Sequence, residues 1–371
     1  MNKPLILVTG ATGKTGGSVV RQLGEHGVRV RAMVRCRDSR STALETLGAE
    51  IVVADAFDPE AVDAAMQGVQ RVYFCPPWHP HMLDTAAVLA IAARNHRVEA
   101  IVGLSQWLAT PAHPSLATRQ NWLVDRLFQL VPNAARVTVA PGFFADNYLV
   151  LIGFAAQLGL FPMPMGRGRN APPSNEDIAR VAVAALLDPG RHDGRTYRPT
   201  GPTLLSAADM ARTLGDVLGR SVRHFEMPMW MFLKALRVLG PRLGIDAFQQ
   251  TALRHYIEEH KLGAFERGAP TDHVKLTTGR EPEDFATIAR RYAARPEAQQ
   301  GAKNLLLAVV DFMRIGLTPA LDLKKVELDQ QHPRFPRTEL AARNAAWATE
   351  REEIERSARG SQRALATLKP F

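Results

Sequence analysis

The run Val8-Thr9-Gly10-Ala11-Thr12-Gly13-Lys14-Thr15-Gly16-Gly17 constrains this chain more than any other stretch. Pro4-Leu5-Ile6-Leu7-Val8 before it has the length and apolar character of a buried strand. Ser18-Val19-Val20-Arg21-Gln22-Leu23 after it is helical in pattern. Strand, glycine turn, helix is the context in which a glycine triplet reads as a dinucleotide fingerprint. The spacing is G-x-x-G-x-x-G. A phosphate-binding G-x-x-x-x-G-K-[ST] frame is absent, because Val8 stands five residues before Gly13. Gly10 suits a tight turn off the strand, and Gly13 lets backbone approach a pyrophosphate. Gly16 lets the helix pack close to the sheet. The first helical turn then offers unpaired N–H groups and a partial positive charge to phosphates. Gly10, Ala11, Thr12, Gly13, Lys14, Thr15 and Gly16 are therefore the expected contacts on the phosphate side.

The strand that follows is Val28-Arg29-Val30-Arg31-Ala32-Met33-Val34, and it ends at Arg35. An acidic residue there would hold the ribose hydroxyls of NAD. Arg35 stands there instead, with Arg37 and Arg40 close behind. A guanidinium pairs with a 2′-phosphate that a carboxylate would repel, so the expected cofactor is NADP(H), held by Arg35 and Arg40. A third strand runs to Ala54, and Asp55 at its carboxyl end is the candidate on the adenine side. Asp58-Pro59-Glu60 reads as a helix cap with proline in the first position. Val72-Tyr73-Phe74 is a fourth strand, stopped at Cys75-Pro76-Pro77 by a loop at the cofactor edge. His79 and His81 lack a third ligand nearby, so no metal site is expected. Helices at 84–95 and 115–130 flank a fifth strand ending in Ser105-Gln106-Trp107. A sixth strand ends before Pro141-Gly142-Phe143-Phe144. Strands alternating with helices predict an α/β fold, a Rossmann-type doubly wound parallel sheet.

Composition sets the limits. The 371 residues suffice for one large or two unequal domains, and 46% hydrophobic with 22% charged residues is globular. Two cysteines, Cys36 and Cys75, make no disulfide framework and suit a reducing compartment. The chain enters a strand almost at once, without a signal peptide pattern, so a cytoplasmic location is expected. No apolar run approaches the roughly 20 residues that span a bilayer. The net charge of +9 is spread among acidic residues, and no helix-turn-helix or zinc-finger spacing appears. Nucleic acid is therefore not an expected partner.

These features resemble the NmrA-like family of atypical short-chain dehydrogenases/reductases. The likeness rests on residues 8–17, Arg35, Asp55, Leu104-Ser105, and Pro141-Gly142-Phe143-Phe144 with Asn147. It extends through Asp177-Ile178-Ala179, Leu187-Asp188-Pro189-Gly190 and Thr200-Gly201-Pro202, about residues 1–225. It implies a Rossmann domain binding NADP(H), with Cys75, Pro76, Ser105 and Pro141 at the cofactor, and a small C-terminal α/β substrate domain. Some members reduce quinones, dyes and phenolic ethers, and others are redox sensors. The departures are as telling. The family's Tyr-x-x-x-Lys pair falls on Ala117 and Asn121, and Ala140 replaces an arginine before the proline. The catalytic residues are therefore left unassigned. Two readings stay open: a reductase of a quinone-like or aromatic small molecule by hydride transfer, or a sensor acting through a protein partner.

The expected division is a dinucleotide domain at 1–150, a substrate-side region at 151–295 and a helical extension at 296–371. Gly166-Arg167-Gly168-Arg169 reads as a solvated cationic loop. Ser174 and Ser206 read as helix caps, and residues 196–199 as a short strand. Met227-Pro228-Met229-Trp230-Met231-Phe232-Leu233 reads as a core helix, with pocket lining as the alternative. Leu305-Leu306-Leu307-Ala308-Val309-Val310 is too short to span a membrane. It suits packing on the body, on a membrane surface or on a second subunit. Residues 329–337 read as a linker. Residues 339–363 read as a charged helix with pairs such as Glu352–Arg356 and Glu355–Arg359, solvated or contacting a dimer partner.

Overall fold

The computed structural model describes residues 3–353. The first half alternates β1 (Leu5–Val8), α1 (Lys14–Glu25), β2 (Arg29–Val34), α2 (Ser39–Thr46), β3 (Glu50–Val53), α3 (Pro59–Met66), β4 (Arg71–Phe74), α4 (Met82–Asn95), β5 (Ala100–Leu104), α5 (Leu116–Phe128) and β6 (Ala135–Val139). Then follow α6 (Ala145–Leu149), α7 (Ile152–Leu158), β7 (Leu160–Met163), β8 (Arg169–Asn170), α8 (Asn175–Leu187), α9 (Pro189–His192), β9 (Thr196–Tyr197), β10 (Leu205–Ser206), α10 (Ala207–Leu218) and β11 (Arg223–Glu226). The rest is helical: α11 (Met229–Leu243), α12 (Ala247–Lys261), α13 (His273–Thr278), α14 (Phe285–Ala293), α15 (Ala302–Leu317) and α16 (Leu323–Asp329).

Seven strands form one parallel sheet in the order β3-β2-β1-β4-β5-β6-β9. All four β1 residues are buried, because both faces of the sheet are covered. Ile6 and Val8 pack with Val19, Leu23 and Val181 from α1 and α8. Leu5 and Leu7 pack the other way, with Met66, Leu89 and Phe128 from α3, α4 and α5. This alternation along one strand is the doubly wound arrangement. Asp58 accepts from Glu60 N and Ala61 N, with Pro59 in the first helical position. Ser174 accepts from Asp177 N at 3.0 Å, and Ser206 with Asp209 forms a capping box. Beyond residue 150 the chain returns to the sheet: α8 lies on α1, and β9 pairs with β6.

A second core gathers Trp107, Phe143, Tyr148, Phe161, Met210, Tyr256 and Phe285. β7 pairs with β11 and β8 with β10 at its edge. Two expectations change here. The Gly166-Arg167-Gly168-Arg169 stretch is not a solvated loop throughout. Arg169 donates to Glu266 from Nε and a terminal nitrogen at 3.0 and 2.9 Å, and a β-carbon at Gly168 would collide with the His260 carbonyl. The segment after residue 339 is not a freely solvated helix either. Ala341, Ala342 and Trp347 join the second core, and Arg351 is 2% exposed. Arg351 donates to the Trp107 carbonyl at 2.6 Å and lies beside the rings of Trp107 and Trp347. Apolar residues spaced among the charges draw this segment inward. The helix from 345 continues to 353. Arg356, Glu355 and Arg359 lie outside the described residues.

Candidate active site

The strand order reverses between β1 and β4, which opens a crevice at the carboxyl ends of these strands. The glycine turn fills its mouth. Gly10 has φ +59°, a backbone shape that favours glycine, and a β-carbon there would stand 3.0 Å from Cys75 Cβ. Cys75 N donates to Thr9 Oγ1 at 2.9 Å and ties the two strand ends together. A β-carbon on Gly16 would fall 2.7 Å from the Gly10 carbonyl carbon and closer still to its oxygen. The close approach is thus between helix and turn, rather than helix and sheet as spacing alone suggests. Gly13 caps α1 in an extended conformation without a side-chain hydrogen bond, and the first turn holds no acidic residue. The helix therefore presents N–H groups that no acidic side chain caps, beside glycines that leave room for a close approach, which fits a pyrophosphate.

Three arginines follow β2, and the structure separates them. Arg37 pairs with Glu45, and Arg40 pairs with Asp38 at 2.6 Å. Arg35 is exposed, and no partner holds it among the described residues. Asp55 is exposed at the end of β3, where its carboxylate accepts from Phe57 N at 3.0 Å. Ala11 is buried and Thr12 half-buried within the turn. Lys14 reaches Asp146 at 2.8 Å, and Thr15 donates to Asn175 Oδ1 at 2.7 Å.

A cavity of about 690 Å³ begins at this turn and runs into the second core. Gly13, Lys14, Thr15, Gly16, Arg40, Cys75, Pro76, Ser105 and Pro141 are brought together on its wall. Gly10, Ala11 and Thr12 do not line it, and neither do Arg35 and Asp55, which follow β2 and β3. Its middle is aromatic: Tyr256 lies 6.1 Å from Trp78, 5.9 Å from Phe143 and 6.2 Å from Phe265, centroid to centroid. Its far end is apolar, with Leu236, Leu239, Leu243 and Ile245. Met227 and Phe232 also reach the wall, so that stretch lines the cavity as well as packing.

Polar groups on this wall are few. Ser105 Oγ donates to Asp125 Oδ2 at 2.6 Å, and loss of solvent lifts the Asp125 carboxyl to about 7. Burial pushes the Cys75 thiol up to about 12, so it stays protonated and is no nucleophile at neutral pH. Asn121 is 2% exposed, and its amide donates to Ala117 O at 2.9 Å. Ala117 packs against Phe248 and Ala252 of α12, which occupy the space a larger side chain would need. Gln106 is 8% exposed, and neither amide atom has a partner within the protein. A buried, unpaired amide on a cavity wall is an opening for a ligand. Sequence reasoning passed over Gln106, Tyr256 and the α11 leucines. For Tyr256 the one local signal was the stripe Phe248, Ala252, Tyr256 at helical spacing. Among the described residues no cluster of three or more metal-binding side chains forms.

Fold and crevice together define a protein of the dinucleotide-binding class. Residues 10–135 match the NAD(P)H-binding family model. The NAD(P)H azoreductase of Xenophilus azovorans is 32% identical over 293 residues, 78% of this chain and 98% of that protein. This chain belongs to the NmrA-like family of NAD(P)H-binding proteins. Among solved structures, the NADPH-dependent quinone oxidoreductase of Escherichia coli, complexed with NADPH, superposes with a TM-score of 0.66 at 20% identity. That match covers 77% of this chain and 99% of the other. The negative transcriptional regulator NmrA superposes at 0.61 and 19% identity, over 78% of this chain and 95% of its own. No helix among the described residues is long and apolar enough to cross a membrane.

Proposed function

We propose that the protein is an NADPH-dependent reductase of a quinone-like or other flat aromatic small molecule, acting by direct hydride transfer. The observation that carries this reading is the cavity, aromatic in its middle and continuous with the glycine turn. The named activities of the azoreductase and quinone oxidoreductase relatives point the same way. In this reading the turn at Gly10, Gly13 and Gly16 holds the pyrophosphate, Arg35 the 2′-phosphate, and Asp55 the adenine side. Pro76, Ser105 and Pro141 flank the reacting end. When bound, the cofactor supplies the hydride. Trp78, Phe143, Tyr256 and Phe265 form one aromatic wall against which the flat acceptor lies, and they keep water from it. Gln106 offers a donor and an acceptor that orient a carbonyl or azo nitrogen. Ala117 and Asn121 move no proton, which suits acceptors whose reduced form takes its proton from water.

The test is NADPH oxidation by the purified protein against quinones, azo dyes and simple ketones. The expected outcome is turnover with the first two classes and none with ketones, which need a positioned acid. Tight NADPH binding with no turnover across the panel would overturn the reductase and leave a sensing role.

A further inference from the structure

Among the described residues, helix α15 is buried along one narrow stripe, Ala308, Asp311 and Ile315. Leu305, Leu306, Val310, Phe312, Met313 and Leu317 occupy much of its outward side, flanked by Lys303 and Arg314, and are between 41% and 84% exposed. A contiguous apolar surface of this kind on a soluble body marks a contact site. At 16 residues the helix is about 24 Å long, short of a bilayer span, so its apolar side can only lie along a surface.

Charge decides what that surface is. α11 and α15 run antiparallel. Lys234 Nζ donates to Gly316 O, while Arg242 near the other end of α11 pairs with Asp311 at 2.6 Å. Together the two helices carry Lys234, Arg237, Arg242, Lys303 and Arg314 against a single carboxylate, Asp311, which is buried in that pair. A second copy across a two-fold axis would set these cations against themselves. An anionic lipid surface complements both features, apolar side chains into the acyl boundary and cations to the headgroups. Trp230, at the α11 end beyond Leu317, is 55% exposed, and tryptophan favours that interface.

We infer that α15, with the flanking cations and Trp230 of α11, docks this protein in the plane of an anionic membrane surface. The docked side adjoins the cavity, because the opposite side of α11 supplies its outer leucines. The inference stands apart from the substrate assignment.

The test is flotation of the full chain with vesicles of phosphatidylcholine alone or mixed with phosphatidylserine, read alongside NADPH binding. Binding to the mixed vesicles, weakened by salt and absent without phosphatidylserine, is expected. Leu306→Asp with Leu317→Asp should cut partitioning at least about tenfold, and Lys303→Glu with Arg314→Glu comparably. Both variants should keep the unfolding temperature and NADPH affinity, since every altered side chain is exposed. No flotation, or flotation indifferent to lipid charge, would overturn the inference. So would a dimer in sedimentation velocity that Leu306→Asp with Leu317→Asp dissociates, which would assign the face to a second copy.

Discussion

Gly16 has no room for even one added carbon. Gly16→Ala would drive a methyl group into the backbone of Gly10, and backbone cannot swing aside as a side chain does. We expect a loss of about 3 kcal/mol or more in denaturant unfolding, because the turn and α1 must separate. The glycine's necessity was legible from its spacing, and its contact was not, since only the folded turn shows which atom it meets. Arg35 poses the same contrast. All three arginines after β2 were candidates, but Glu45 holds Arg37 and Asp38 holds Arg40. Arg35→Ala should lower NADPH affinity roughly ten- to a hundredfold with little change for NADH, by fluorescence titration of both. Arg37→Ala and Arg40→Ala should do less.

Asp125 makes a pH prediction. Its folded pKa lies near 7, above the ordinary 3.8, because burial disfavours the carboxylate. Between these values the folded state holds a proton that the unfolded state has released, so stability falls as pH rises from about 4 to about 7. Asp125→Asn, which keeps an acceptor for Ser105, should stabilise the protein on the order of 1–2 kcal/mol at about pH 8. It should change little at about pH 5. Thermal unfolding at both pH values checks this, and equal shifts would refute it.

Among the elements, α8 shows where local reading stops. Its cap, Ser174, was readable from sequence, but the helix it docks against was not, since α1 lies more than 150 residues away. Glu176 in its first turn accepts from Ser18 Oγ at 2.8 Å and Gln22 Nε2 at 3.0 Å, and also pairs with Arg21. The cradle helix is thus clamped from a helix that follows the sixth strand. Glu176→Ala should cost about 1–3 kcal/mol and weaken NADPH binding as α1 loosens. A variant with normal stability would show the clamp to be incidental. α12 carries the same lesson. The missing Tyr-x-x-x-Lys pair was visible in α5, but nothing local announced that Phe248 and Ala252 fill the space beside Ala117 while Tyr256 reaches the cavity.

On the scale of the whole molecule, the parallel sheet followed from periodicity because each strand and helix declares itself within a dozen residues. The second core did not, because its parts come from Trp107, from α6 to α14 and from residues 341–347. The contacts of the tail segment are specific. Glu259, fully buried beside His113 at 3.1 Å, accepts from the backbone N–H groups of Ala341 and Ala342. Trp347 Nε1 donates to Trp107 O at 3.2 Å. Removing the chain from Leu340 onward would uncover Trp107 and strip a buried carboxylate of two donors. A loss of about 3–5 kcal/mol is expected in thermal or denaturant unfolding, against no change if the segment were an ornament.

That docked segment also sets an order in time. The last strand of the main sheet ends at Tyr197, whereas the second core closes only with Trp347 and Arg351. At ordinary rates of translation these points are separated by roughly 8–30 s. During that interval the residues of the glycine turn and of the whole main sheet are already made, while Trp107 waits without its cover. The turn is therefore synthesised well before the segment that closes the second core, and a chain released early would bear the one without the other.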